Sequence, residues 1–342
     1  MKNDTSRHWS AVSAALPMQM LTEQVKQLEA AGLAGVFAPQ VYGPPFIPLA
    51  ACAAVTSRIQ LASGIALAFA RSPFETAMAA MDLDRLSGGR FVLGLGPSVR
   101  AWSEGFFGMP YGKPVEHLRE TIEIIRLVIA KSHTGELKRF EGKYHRHDWS
   151  EFQPLAAPLR TDIPIWIAAV RQPLIRLAAE IADGLIGHPI WSISWATNQA
   201  ATALNEALGK AGRQRSDMQF NTWFWVIINP DRKEAINDAR GTVAFYAGMA
   251  QYEEYFAAHG FRAEARRCQE GVQRGDFLSV AREVTDEMAE TFVLCGSADE
   301  VRRKLDPVWD IVDSVCLVAP IAGLPPEKLM AYAGAIGGAF YA

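Results

Sequence analysis

The sequence predicts an α/β chain folded as a (β/α)8 barrel, and three observations carry that reading. Apolar, strand-like runs alternate with amphipathic helical segments along the chain. Over the first hundred residues the strands begin roughly every 25 to 30 positions, the spacing of βα units in a parallel sheet. Eight such strands can be read in all, the number that closes a parallel barrel. The 342 residues are 49% hydrophobic and 21% charged, which excludes a disordered chain or a fibre. A single barrel domain over residues 1–342 is expected.

The elements follow in order. Residues 9–16 form a short apolar run, read as a first buried strand and not as a signal segment, because Pro17 leads at once into an amphipathic stretch. A helix over 19–32 puts Leu21, Val25 and Leu28 on one face and ends at Gly32. Residues 35–38 (GVFA) are strand two, and 46–56 are helical. Strand three covers 59–69, and the helix 74–86 closes before Gly88-Gly89. Strand four is RFVLGL, 90–95, and the helix 114–131 lines up Val115, Leu118, Ile122, Ile125 and Ile129. Strand five is PIWIAAV (164–170), followed by a helix over 174–182. Strand six is GLIGH (184–188), followed by a helix over 194–211. Strand seven is 219–228, strand eight 312–319, and a last helix runs over 326–336. The stretches 131–162 and 231–290 are too long for plain connections, and the second is expected to be a helical insertion. A doubly wound sheet would want a nucleotide fingerprint, but Gly94-Leu95-Gly96-Pro97-Ser98-Val99 has Val99 where the third glycine belongs.

Composition narrows the partners. Acids number 37 against 34 Lys plus Arg, a net charge of -3 with no basic block, so nucleic acid is not expected as a partner. The four cysteines include no Cys-x-x-Cys pair, which suits a reducing cytoplasm and excludes a disulfide framework. No apolar stretch approaches the ~20 residues needed to span a bilayer, so no membrane association is expected.

In a parallel barrel the chemistry gathers at the C-terminal ends of the strands. Few residues there are ionisable, which points away from acid–base hydrolysis and toward a site that presents a cofactor to a small molecule. His188 is the one histidine at a strand end. It is expected to face the mouth, donating a hydrogen bond or assisting proton transfer near neutral pH; otherwise it packs against Pro189 and Trp191. Arg100, after strand four, is expected to meet an anionic part of the cofactor or substrate. At Val170-Arg171-Gln172-Pro173 a strand turns directly into a helix with proline near its first position, a plausible anion seat with Arg171 adding charge. His145-Arg146-His147-Asp148 reads as a solvated loop and not a metal site. Asp82, Asp84, Arg85, Glu180 and Asp183 read as structural charges. Ser98 has no sequence-marked base partner, and no Gly-x-Ser-x-Gly elbow exists. Trp102, Phe106, Phe107, Trp191 and Trp195 suggest a largely apolar pocket.

Two long runs carry a family resemblance. Residues 62–96 (ASGIALAFARSPFETAMAAMDLDRLSGGRFVLGLG) resemble the central signature of the bacterial luciferase-like flavin oxidoreductases. Residues 164–189 (PIWIAAVRQPLIRLAAEIADGLIGHP) resemble the second. The AFARSP segment, IAAV at 167–170 and Gly187-His188-Pro189 are most similar to the coenzyme F-420 branch, which includes methylenetetrahydromethanopterin reductase-like proteins. The resemblance implies a flavin or deazaflavin in the mouth of the barrel and a homodimer. It implies a cis peptide at Gly64-Ile65, and a cofactor lined by Gly64, Ile65, Gly96, Ser98, Ala169, Val170, Arg171 and Gln172. It also shows departures. Pro39-Gln40 stands where relatives often carry an acid and a histidine, and Val99-Arg100 where sugar-phosphate-oxidising members carry a glutamate. The function implied is hydride transfer between coenzyme F-420 and a small, largely apolar substrate. The alternatives are an FMN-dependent two-component monooxygenase and a non-catalytic flavin-binding relative.

Overall fold

The computed structural model describes residues 4–342, so the first three residues of the expected domain lie outside the described residues. Eight parallel strands form the wall: β1 (His8–Ala11), β2 (Gly35–Ala38), β3 (Gln60–Ser63), β4 (Phe91–Gly96), β5 (Ile165–Ala169), β6 (Gly184–Gly187), β7 (Gln219–Ile228) and β8 (Ser314–Val318). Each pairs with the next, and β8 returns to β1 with Cys316 opposite Trp9, closing the barrel. Around it lie α1 (Met18–Ala30), α2 (Phe46–Ala53), α3 (Pro73–Ser87), α4 (Pro114–Lys131), α5 (Gln172–Ile181), α6 (Ala201–Lys210), α7 (Ala298–Leu305) and α8 (Pro326–Phe340). The (β/α)8 barrel expected from the sequence is the fold observed.

Local chemistry sets the element ends. The Ser72 hydroxyl accepts from the Glu75 amide at 3.0 Å, Pro73 opens α3, and Gly88 ends it in the left-handed region at φ 66°. Inside the barrel Trp9, Phe37, Trp166 and Trp223 interlock, with ring centroids 4.4 Å apart for Trp9–Phe37 and 5.3 Å for Trp9–Trp166. Glycine makes room for this layer: a Cβ at Gly184 would stand 2.6 Å from Trp166 Cγ. Ala11, Ala168 and Val318 follow Trp9, Trp166 and Cys316 by two positions, so they sit one layer nearer the C-terminal mouth. With Ile65 they are half-buried and pack on the aromatic layer beneath.

The structure departs from expectation in three places. The run read as one strand over 59–69 is two pieces: β3 ends at Ser63, the Gly64-Ile65 bond is cis, and Ala66–Leu67 pairs with β4 instead. Residues 145–148 are not a solvated loop. They belong to a hairpin (Arg139–Glu141 with Arg146–Asp148) laid on α4, where the Glu120 carboxylate accepts the amides of Lys143, Tyr144 and His145 at 2.7 to 2.8 Å. Its two histidines are half-buried: His145 meets the buried His117 at 3.0 Å, and His147 stacks on Trp149. Among the described residues no three His, Cys, Asp or Glu side chains group as metal ligands.

Third, residues 231–292 fold as a run of helices, longest at Arg232–Ala247 and Arg262–Gln273, that returns through an unanticipated strand, Val293–Gly296. This strand pairs with Trp225–Ile228 of β7 on the edge that β6 occupies lower down, and α7 follows it. No helix among the described residues is long and apolar enough to cross a membrane.

Candidate active site

The mouth of the barrel is poor in acids. No Asp or Glu stands within two residues beyond the end of any of the eight strands. Its floor is the small, half-buried set Ala11, Ile65, Ala168 and Val318. Gly96 borders it, since a Cβ there would strike Ile65 and lie 3.5 Å from Ala168 Cβ. Gly64 donates its amide to the Ala38 carbonyl at 2.9 Å, and the Ile65 carbonyl accepts from the Gln40 amide at 3.2 Å. The Gln40 side chain locks this corner, accepting from the Leu67 amide at 3.0 Å and from Arg71 at 3.1 Å. Gln40 is therefore a buried structural residue.

The ends of β4 and β5 make the polar side. Ser98 holds a left-handed conformation at φ 59°, rare for a side-chain-bearing residue, and its carbonyl accepts from the Tyr111 hydroxyl at 3.0 Å. Ala169 is buried, and the Val170 carbonyl accepts from Trp191 Nε1 at 2.9 Å. Arg171 caps the start of α5, where Pro173 offers no amide. Its exposed guanidinium makes no hydrogen bond or ion pair among the described residues. Its charge does reach the hydroxyls of Tyr111 and Tyr252. The Gln172 side chain accepts from Arg176 within the helix at 3.1 Å.

His188 follows Ile186, an inward-facing residue, by two positions and leaves β6 on the inner side. Its Nδ1 accepts from the Ile190 amide at 3.2 Å, so the neutral ring carries its proton on Nε2, which has no partner among the described residues. Burial holds its pKa down to about 3. A ring kept neutral in this way offers a hydrogen bond from Nε2. His188 stands edge-on to Tyr246 at 5.1 Å and lies 5.9 Å from Tyr252.

Tyr246 and Tyr252 come from the 231–292 segment, and the sequence reading passed over them. Their rings meet at 5.3 Å, burial pushes both hydroxyl pKa values upward, and neither hydroxyl has a protein partner among the described residues. The one sequence signal was the aromatic richness of residues 245–256. Arg100 is placed differently from His188 and Arg171. It pairs with Glu104, donates to the Gly112 carbonyl at 3.1 Å and lies over the Tyr111 ring, so its donors serve its own loop. Of the expected pocket aromatics, Trp102 and Phe106 gather with Tyr42 at the surface, whereas Trp191 is fully buried.

A closed barrel whose mouth offers donors and an unpaired arginine, but no acid, defines a cofactor-presenting barrel. Residues 3–311 match the family model for luciferase-like monooxygenases, and the chain belongs to that family of oxidoreductases. A Mycobacterium tuberculosis protein provisionally named a coenzyme F-420-dependent oxidoreductase is 31% identical over 326 residues, covering 89% of this chain and 91% of that one. Among solved structures, the coenzyme F-420-dependent tetrahydromethanopterin reductase from Methanopyrus kandleri superposes with a TM-score of 0.80 at 22% identity, over 99% of this chain and 100% of that one. The FMN-bound oxygenating constituent of 3,6-diketocamphane monooxygenase from Pseudomonas putida gives a TM-score of 0.65 at 16% identity, over 97% and 98%.

Proposed function

We propose that the protein is a deazaflavin-dependent oxidoreductase that moves hydride between coenzyme F-420 and a small, largely apolar organic substrate. The observation that carries this is the acid-poor mouth: with no carboxylate at a strand end, the bond-making chemistry falls to a cofactor. The name of the M. tuberculosis relative supports the deazaflavin. The residues present fit such a group, since a half-buried, apolar floor of Ala11, Ile65, Ala168 and Val318 suits the face of a planar heterocycle. The start of α5 with an unpaired Arg171 suits its anionic tail. When bound, a deazaflavin gives or takes hydride at C5.

In this reading Gly64, Ile65 and Gly96 back the ring, and Ser98, Ala169, Val170, Arg171 and Gln172 follow the chain out to its phosphate. His188 donates from Nε2 near the reactive edge, and Arg100 would meet an anionic group only by leaving Glu104. The chain works as one barrel unit with residues 231–290 as an insertion, as a homodimer in the cytoplasm.

A second reading, an FMN-dependent monooxygenase fed by a separate reductase, draws support from the likeness to the diketocamphane monooxygenase fold. The two predict opposite oxygen dependence. Purified protein titrated with each cofactor by fluorescence should bind coenzyme F-420 and turn over without oxygen. Tight FMN binding with oxygen uptake driven by reduced FMN would overturn the proposal.

A further inference from the structure

The inner wall of the mouth presents hydrogen-bond donors that the protein itself does not use. His188 Nε2–H, the Tyr246 hydroxyl and the Tyr252 hydroxyl have no partner among the described residues, although the Tyr252 residue is only 8% exposed. Trp225, with its ring 6.5 Å from Tyr246, adds a buried Nε1–H that is likewise unpaired. Indole N–H and the Nε2–H of this tautomer can only donate. Only the Trp225 N–H is sealed from solvent; the other three donors open onto the mouth, where water can satisfy them until a ligand that brings acceptors takes its place.

The character of the acceptor follows from the charges around it. His188 is neutral, and no other ionisable group but the two tyrosines touches its ring. Arg171, on the exposed start of α5, acts on Glu254 and on the Tyr252 hydroxyl but not on His188 or Tyr246. The inner end of the pocket, at His188 and Tyr246, therefore carries no formal charge, and its walls are aromatic. An anion would lose its hydration there with no opposing charge, whereas a neutral oxygen acceptor on an apolar frame loses little.

We propose that Tyr246, Tyr252 and His188 select the substrate, and that the substrate is an apolar aldehyde or ketone whose carbonyl oxygen these donors hold and polarise. The proposal rests on the functional reading above: hydride reaching the carbonyl carbon sends the C=O π pair to the oxygen, which takes a proton from a tyrosine hydroxyl that water then reprotonates, leaving the alcohol. The rival ligand for the same donors is the cofactor's phosphate or carboxylate tail.

The test uses 4-dimethylaminocinnamaldehyde, whose absorption moves to longer wavelength when its carbonyl accepts hydrogen bonds. The native protein without cofactor should bind it with a red shift. Tyr246→Phe and Tyr252→Phe keep the rings, and each should weaken binding about tenfold, with the shift lost in the double variant. Coenzyme F-420 affinity, read by fluorescence, should stay within about twofold in these variants and fall in Arg171→Ala. A native complex with no red shift, or a double variant that keeps it, overturns the proposal. So does a double variant that keeps aldehyde affinity but loses affinity for coenzyme F-420 or inorganic phosphate, which would give these donors to the cofactor. Failure of the native protein to bind coenzyme F-420 would instead sink the functional reading, while the aldehyde shift would still be read on its own.

Discussion

At the scale of single residues, acid is the sharpest probe, because several histidines are buried neutral. Burial holds His188 at a pKa of about 3, and His8 and His145 at about 4. In the unfolded chain each returns to ~6.5. The folded pKa values lie below the unfolded ones, so the unfolded state binds more protons as pH drops. The stability these groups permit is fully present above pH ~6.5 and is lost as pH falls from there through about 4 and then 3. The urea midpoint should be flat near pH 7 to 8 and decline steadily below 6.5, with a shallower decline in His188→Gln. A midpoint unchanged between pH 7 and 5 would show that these rings protonate freely while folded. His188 and Arg171 could be picked from the sequence because they stand one or two residues past a strand, where the barrel rule assigns a direction. Tyr246 and Tyr252 could not, since their place depends on how a long helical segment folds back. Arg100 illustrates the opposite limit: its position near the mouth was legible, but its engagement with Glu104 and Gly112 is a matter of loop geometry.

Elements were legible in proportion to their periodicity. For α4 the expected and observed bounds coincide at 114 and 131, because Pro114 marks the start and the apolar spacing is unbroken. Strand ends were harder, since apolar residues continue past β1 and β3 into the mouth. The strand Val293–Gly296 was missed because it follows a helical stretch with no turn signal between, whereas α7 did carry a start signal, the Ser297–Glu300 capping box after Gly296. Asp84 shows how the 131–162 stretch is held. It lies in the last turn of α3, 1% exposed, and accepts from Arg160 Nε at 3.0 Å and Nη2 at 2.7 Å. Arg160 Nη2 also reaches the Phe91 carbonyl at 2.6 Å, so one guanidinium ties the segment before β5 to α3 and β4. Breaking a buried pair costs ~3–5 kcal/mol, but Arg160 is 27% exposed and water can reach it. Asp84→Ala should therefore cost about 2 to 3 kcal/mol in urea unfolding, with activity at 25 °C nearly kept. A loss under ~0.5 kcal/mol would mean the pair only decorates the segment.

On the scale of the whole molecule, the count of eight strands was readable because strands of a parallel barrel are covered on both faces and read as continuous apolar runs. How the 231–292 segment docks on the barrel has no such signature. It is written in a few long-range polar contacts. Tyr255, 1% exposed, donates its hydroxyl to the Ile190 carbonyl at 2.9 Å and accepts from the Ser192 amide at 3.1 Å. His259 Nδ1 faces the Tyr255 carbonyl at 2.9 Å and must donate there. Its Nε2 is therefore the acceptor for the Ser192 hydroxyl, also at 2.9 Å. These bonds fasten the helix Glu253–Ala257 to the very loop that carries His188, so the donor cluster and its supports move as one. Tyr255→Phe removes the hydroxyl and leaves one backbone carbonyl and one amide buried without partners, a cost of about 1 to 3 kcal/mol. If the docking is held as described, amide exchange should quicken at Ser192 and through residues 188–192 while β1 to β3 stay protected. The aldehyde-binding red shift should also weaken although both Tyr246 and Tyr252 are intact. Unchanged protection at Ser192 would place the grip of the segment in its apolar contacts, chiefly those of Phe256 and Phe292, and not in this network.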